Sequence, residues 1–398
     1  MRMLPALLFI TLAMTLVGGA HHYAWARLFR DTALAPPWPT VGRWVLVSLW
    51  LSIPLSFILY RFLPGGREAI RLLLWPVYIW MGVLFILVMV LGIGDLVRVA
   101  IAGLLGADGG GVENPERRLL FARVLGGAAA MVTAVLSTRA LHTVLAGPTV
   151  RRLDVRLGRL PPALDGFTIA HLTDVHFGPT LRREFAEEIV RRTNELEPDL
   201  VAITGDLVDG TVAELREIVA PLAGLRARHG VYFVTGNHEY YVGRDSTAGV
   251  ESWISELGRL GIRTLRNQRV SIGQGEGSFD LAGVDDWTAR AIGHGPDLEA
   301  ALAGRDERRE LVLLAHQPRQ VLEAAQRGVG LQLSGHTHGG QIWPWGYMVR
   351  LQQPYVVGLV QHGATQLYIS PGTGYWGPPM RLGTTSEIAH ITLRAGAA

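Results

Sequence analysis

Two histidines stand one residue apart in the stretch Leu333-Ser334-Gly335-His336-Thr337-His338-Gly339-Gly340-Gln341. On an extended backbone they would point to the same side, because side chains alternate with period two. The glycines around them let main chain turn tightly and come close to whatever the imidazoles hold. Histidine is the commonest nitrogen ligand of transition metals, but a His-x-His pair alone also fits two ordinary polar residues. Four earlier clusters change its weight: Asp174-x-His176, Gly205-Asp206-x-x-Asp209, Gly236-Asn237-His238-Glu239 and His316. Mixed carboxylate, amide and imidazole donors suit divalent Mn, Fe, Zn or Co.

Each cluster follows a short apolar run. Phe167 to Leu172 precedes Asp174, Leu200 to Ile203 precedes Asp206, and Val231 to Val234 precedes Asn237. Leu311 to Leu314 precedes His316, and Leu331 to Leu333 opens onto the histidine pair. Helical spacing lies between the runs: Phe185 and Ile189 share one face before Pro198, and Leu215, Val219 and Leu222 share another. Strand, polar tip and helix therefore repeat, as in open α/β sheets whose ligands gather beyond the carboxyl ends of the strands. Arg151 to Leu157 alternates like an edge strand and ends at Pro161-Pro162, while Val270 to Ile272 and Phe279 to Val284 read as further strands. Five strands converging with Asp, His and Asn tips are hard to explain as packing.

These blocks, in this order and with about thirty residues between each of the first three, resemble the calcineurin-like metallophosphoesterase superfamily. The likeness runs from about Leu160 to Leu393, and Gly372-Thr373-Gly374-Tyr375-Trp376-Gly377-Pro378-Pro379 resembles its membrane-associated branch. The resemblance implies an α/β fold, an αββα sandwich, carrying two divalent transition-metal ions. Asp174, His176 and His338 would hold one ion, Asn237, His316 and His336 the other, and Asp206 would bridge them. It also implies phosphate-ester hydrolysis through a bridging hydroxide, with His238 facing substrate and Asp209 orienting it. Asp209 could instead cap a helix.

Other residues carry less. His171 lies inside a strand and reads as a core histidine, and His229, His294, His362 and His390 have no motif around them. Asp285-Asp286 fits a turn pair as well as a site element, and Gly372-x-Gly374 reads as a loop rather than a phosphate cradle.

Residues 1–147 read as a separate, all-α transmembrane domain, and residues 148–398 as the phosphoesterase domain. Of four apolar runs, Leu4–Val17, Trp44–Leu63, Leu72–Leu91 and Val124–Leu136, the second and third are the strong ones, nearly charge-free and close to the ~20 residues that cross a bilayer. Trp44, Tyr60 and Trp75 suit an interfacial belt. The first run, behind Arg2, also fits a cleaved signal peptide, and the fourth is the shortest and weakest. The two strong runs carry no acidic residue or histidine, which argues for an anchor rather than an ion pathway. The chain is expected in the plasma or inner membrane. The arginine distribution favours a cytoplasmic catalytic domain, whereas Arg117-Arg118-Leu119-Leu120 resembles an export signal, so the side stays open. Gly109-Gly110-Gly111 reads as a hinge.

Composition excludes some classes. With no cysteine, the chain has no disulfide, zinc-thiolate site or cysteine nucleophile. All 37 basic residues are arginine, yet the net charge of +3 is split. The first 147 residues hold 12 arginines against 6 acidic residues, and the rest hold 25 against 28. A slightly acidic catalytic domain argues against nucleic acid as partner. The expected partners are the bilayer and a phosphate ester. Trp343, Trp345, Tyr347 and Met348, directly after the histidine pair, point to a lipid or lipid-linked phosphate, or else roof the site as a packed loop. A nuclease or nucleotide diesterase, and a membrane sensor that binds phosphorylated ligands without turnover, are the competing readings.

Overall fold

The computed structural model describes residues 3–62, 67–104, 115–242, 246–275 and 277–396. The chain divides into two compact units, Met1–His142 with Gly377–Met380, and Thr143–Trp376 with Arg381–Ala398.

Long apolar runs without a strand period make the first unit helical. It holds α1 (Met3–Trp25), α2 (Trp38–Phe62), α3 (Arg67–Leu104) and α4 (Pro115–Leu145). Among the described residues, three segments are long and apolar enough to cross a membrane: Trp38–Tyr60, Ile70–Ile101 and Pro115–Leu145. The last corrects the expectation of a short, weak fourth run, because the helix takes in both flanks of Val124–Leu136. The third also outruns its expected bounds and takes in Asp95. That carboxylate accepts hydrogen bonds from Tyr23 Oη (2.6 Å) and Arg27 Nε (3.0 Å), which is how an acidic side chain is tolerated there. Ala24, Leu46, Leu84, Leu87, Leu91 and Ala129 form this unit's buried contacts. Arg2, Leu63 and the Gly109-Gly110-Gly111 hinge lie outside the described residues.

The second unit alternates strands and helices: β1 (Thr149–Leu157), β2 (Thr168–Leu172), α5 (Arg183–Asn194), β3 (Leu200–Ile203), α6 (Val212–Val219), β4 (Val231–Phe233), α7 (Ser246–Arg259), β5 (Ile262–Thr264), β6 (Gln268–Gln274) and β7 (Gly277–Gly283). It continues through α8 (Leu298–Leu302), β8 (Leu311–Leu314), α9 (Val321–Ala324), β9 (Leu331–Ser334), α10 (Gly346–Val349), β10 (Gly358–His362), β11 (Thr365–Ile369) and β12 (Glu387–Ala395). Two six-stranded sheets form, in the orders β1-β12-β2-β3-β4-β5 and β10-β11-β9-β8-β7-β6. Among the described residues β1 is an edge strand, paired only with β12. β5, β10, β11 and β12 are additions to the sequence reading.

Ile169, Leu200, Leu281, Val312, Leu331 and Ile391 belong to one buried layer between the sheets. Ile189, Leu215 and Trp253 pack helices on the outer face of the first sheet, and Leu298, Ala301 and Ala324 do so on the second. The result is an αββα sandwich. Parallel β2, β3 and β4 in one sheet and parallel β7, β8 and β9 in the other bring their carboxyl ends to one rim.

Candidate metal centre

The loops after β2, β3, β4, β8 and β9 bring all the chemistry-bearing blocks together. Backbone bonds lace them tip to tip: Asp174 N donates to Gly205 O (3.0 Å), His176 N to Asp206 O (3.0 Å) and Gly335 N to His316 O (2.9 Å). Glu239, buried behind them, accepts from Gly236 N (2.7 Å), Leu207 N (2.8 Å) and Asp206 N (3.0 Å). One carboxylate thus ties the β3 loop to the β4 loop. Burial, and then the Asp206 charge, push Glu239 up to about 7.

The backbone at the rim departs from the extended form. Asp174 (φ 50°), His176 (55°), Asp206 (49°), His336 (70°) and His338 (50°) are left-handed, which is uncommon outside glycine and concentrates at functional sites. This corrects the extended geometry expected for the histidine pair. The two rings reach different neighbours: His338 joins Asp174 and His176, and His336 joins Asp206 and His316. Gly335 is required, because a Cβ there would collide with the Asp174 carboxylate and the Thr173 hydroxyl. Gly236 makes the same room for Asp206.

Hydrogen bonds fix which ring nitrogens remain bare. His316 Nδ1 lies 2.7 Å from Thr204 O, a carbonyl that can only accept. That ring therefore donates from Nδ1 and presents Nε2 to the rim. His176 Nδ1 (3.0 Å) and His238 Nδ1 (2.6 Å) both reach Asp209 Oδ1. Burial opposes the charge on Asp209, but the two imidazoles hold its carboxyl far below the usual range, so it is an ionised acceptor for both. Asp209 does not cap α6; Thr211 does, in a capping box with Glu214. Its contact with His176 is an addition to the sequence reading.

The nitrogens left over face other acceptors. His176 Nε2 lies 3.1 Å from His338 Nε2, and His316 Nε2 lies 3.2 Å from each of His336 Nδ1, Asn237 Oδ1 and Asp206 Oδ2. His338 Nε2 is 3.5 Å from Asp174 Oδ1, and His176 Nε2 is 3.8 Å from Asp206 Oδ2. Nitrogen and oxygen groups gathered this closely make a set of ligands suited to a cation. Burial, helped by His316, pushes His336 down to about 3, and burial, with His176 and Arg381, lowers His338 well below the usual range. Both rings are then neutral, the form that ligates metal. His316 shows the converse demand: burial lowers it, yet Asp206 and Asp174 raise it well above an ordinary imidazole. The donor set fits divalent ions, which would draw N and O ligands to ~2.0–2.2 Å.

His238 stands at the edge of this cluster, within ligand distance of His176 and Asp206 in a further grouping. Burial opposes its charge, but Asp206 and Asp209 push it up to about 9. Such a ring carries a proton at neutral pH.

Three other expectations sort clearly. Asp285 pairs with Arg266 (2.9 Å), and Asp286 accepts from Thr288 N (2.7 Å) and Gln317 Nε2 (3.0 Å), so both support loops rather than enter the ligand groups. The amides of Thr373 and Gly374 donate to Thr173 O (2.8 Å) and Asp174 O (3.1 Å), which leaves neither for a phosphate. His171 is buried in β2, with Nε2 2.7 Å from Thr204 Oγ1, and burial pushes it down to about 3. Sequence reasoning missed Arg381. This fully buried guanidinium donates to Pro371 O (2.6 Å), Gly374 O (2.7 Å) and His338 O (3.1 Å), clamping the tail loop against the histidine pair.

Residues 167–340 match the model of the calcineurin-like phosphoesterase family. The chain is 43% identical over 279 residues to a transmembrane protein with metallophosphoesterase domain from Bos taurus, covering 67% of this chain and 62% of that protein. It thus spans less than two thirds of that relative's length. An uncharacterized metallophosphoesterase of Aquifex aeolicus is 32% identical over 249 residues, covering 62% of this chain and 91% of that protein. One from Campylobacter jejuni is 29% identical over 395 residues, covering 98% of each.

Proposed function

The chain belongs to the calcineurin-like phosphoesterase family, and on that premise we propose that it hydrolyses phosphate esters at two divalent ions while anchored in the cell membrane by several spans. One observation carries this reading: imidazole nitrogens, an amide oxygen and two carboxylates from five strand ends converge at 3.1–3.8 Å from one another. Asp174, His176 and His338 would hold one ion, Asn237, His316 and His336 the other, and Asp206 would serve both. Such ions, of Mn, Fe, Zn or Co, supply Lewis acidity to phosphoryl oxygens and lower the pKa of water.

The chain's own groups do the rest. Asp209 keeps the Nδ1 protons of His176 and His238 in place, so that each ring turns its Nε2 outward. His238 is charged at neutral pH and gives its Nε2 proton to the departing oxygen. Arg381 and Glu239 set the loops.

The finer reading is a phosphodiester or a lipid-linked phosphate. Trp343, Trp345, Tyr347 and Met348, around α10, are each more than half exposed, an apolar display suited to a bilayer interface. Metal-dependent turnover of bis-p-nitrophenyl phosphate by the purified chain, with His336→Ala as control, tests the hydrolase. Equal activity of Trp343→Ala/Trp345→Ala and the parent on lipid and soluble diesters alike would remove the lipid.

A further inference from the structure

Two exposed aromatic rings flank His238, and the chemistry above uses neither. Tyr241, three residues on, has its ring centre 5.3 Å from the imidazole at an interplanar angle of 63°. Trp376, from the loop after β11, sits at 5.7 Å and 73°. Tyr241 is 62% exposed and Trp376 55%, although both belong to loops whose neighbouring residues are largely buried. His238 Nδ1 is committed to Asp209. The two rings therefore stand beside an imidazole whose other nitrogen is uncommitted to Asp209.

Trp376 is held there. Gln341 Nε2 donates to Trp376 O (2.8 Å), and Trp376 N donates to Gln341 Oε1 (3.1 Å). Gln341 lies three residues beyond His338 and is itself left-handed, at φ 48°. A large exposed side chain whose main chain is tied to the ligand loop by two hydrogen bonds has the properties of a recognition wall.

We infer that Tyr241 and Trp376 form a subsite for the organic group leaving with the phosphate oxygen, and that this group is uncharged and apolar or aromatic. The inference rests on the proposed hydrolase reading in which His238 faces the substrate, since both rings stand beside that imidazole. Aromatic faces gain from covering such a group, and from edge or face contact with a ring. A small or strongly charged leaving group would leave both rings wet.

The test is calorimetric binding of methylphosphonate and benzylphosphonate to the Mn²⁺-loaded full chain, which needs no turnover. The parent chain is expected to bind benzylphosphonate about tenfold more tightly, from burial of one ring face. Trp376→Ala and Tyr241→Ala should each cut that advantage to about threefold and the pair abolish it, while Trp376→Phe restores most of it. Methylphosphonate, which does not reach the rings, should bind all of them within about twofold, showing the metal-bearing loops intact. An undiminished advantage in the double variant overturns the subsite and leaves the hydrolase standing. Binding with the expected ratios but no turnover of bis-p-nitrophenyl phosphate supports the subsite and sinks the hydrolase. Failure of the parent chain to bind either phosphonate overturns both.

Discussion

Removing the Asp209 carboxylate should damage the site in two separable ways. One oxygen accepts from His176 at 3.0 Å and from His238 at 2.6 Å, and a hydrogen bond to a charged group contributes about 1.5–3 kcal/mol. The His176 bond fixes a ligand's tautomer, and loss of such a partner typically costs about 10–100-fold in metal affinity. The His238 bond holds a proton donor, a role worth about 10²–10⁴ in rate. Asp209→Ala should therefore weaken metal binding by one to two orders of magnitude. At saturating Mn²⁺ it should still be about 10²-fold or more slower. It should also shift the alkaline limb of the rate profile to lower pH, because the Asp209 carboxylate is one of the charges that hold His238 protonated. Asp209→Asn keeps an acceptor without the charge and should fall between. The assays are metal titration by competition with a chelating dye, and kcat/KM at saturating metal from pH 6 to 10. Full recovery of rate by excess metal would confine Asp209 to His176. Unchanged affinity and rate would refute both roles.

Other outcomes follow from the same geometry. His238→Ala should slow turnover about 10²–10⁴-fold with the metal content left near two per chain by elemental analysis; loss of metal would make His238 a ligand. Gly335→Ala should drive a methyl into Asp174 and Thr173, costing about 1–3 kcal/mol, seen as a lower Tm together with lost metal. Buried His171 titrates in the unfolded chain near 6.5 but in the fold only at about 3. The folded state therefore loses stability as pH falls from 6.5 towards 3, by about 1.4 kcal/mol per pH unit. His171→Gln should flatten the Tm–pH curve below pH 6.5 in detergent, and an unaltered slope would contradict the assignment.

Much of the sandwich was legible because its central strands are short apolar runs that end in polar tips. β2, β3, β4, β8 and β9 each announce themselves this way, and their tips are the rim. β12 was not legible: Glu387–Ala395 inserts between β1 and β2, more than two hundred residues earlier in the chain, and no local period encodes a long-range partner. β5 has only three residues, too few for a pattern. The left-handed backbone of Asp174, His176, Asp206, His336 and His338 was hidden because these residues are not glycines. Their conformation is imposed by tip-to-tip bonds such as Asp174 N to Gly205 O. Arg381 reads in sequence like any surface arginine, and only its burial against Pro371, Gly374 and His338 gives it a role.

The claim that these strand ends form a two-ion centre is tested most directly by counting ions. The purified full chain, saturated with Mn²⁺ and desalted, should carry two per chain by elemental analysis. His338→Ala and His316→Ala should each reduce the count, the first through the Asp174–His176 side and the second through the Asn237–His336 side. A parent chain that retains no ion, or variants that retain both, would contradict the account.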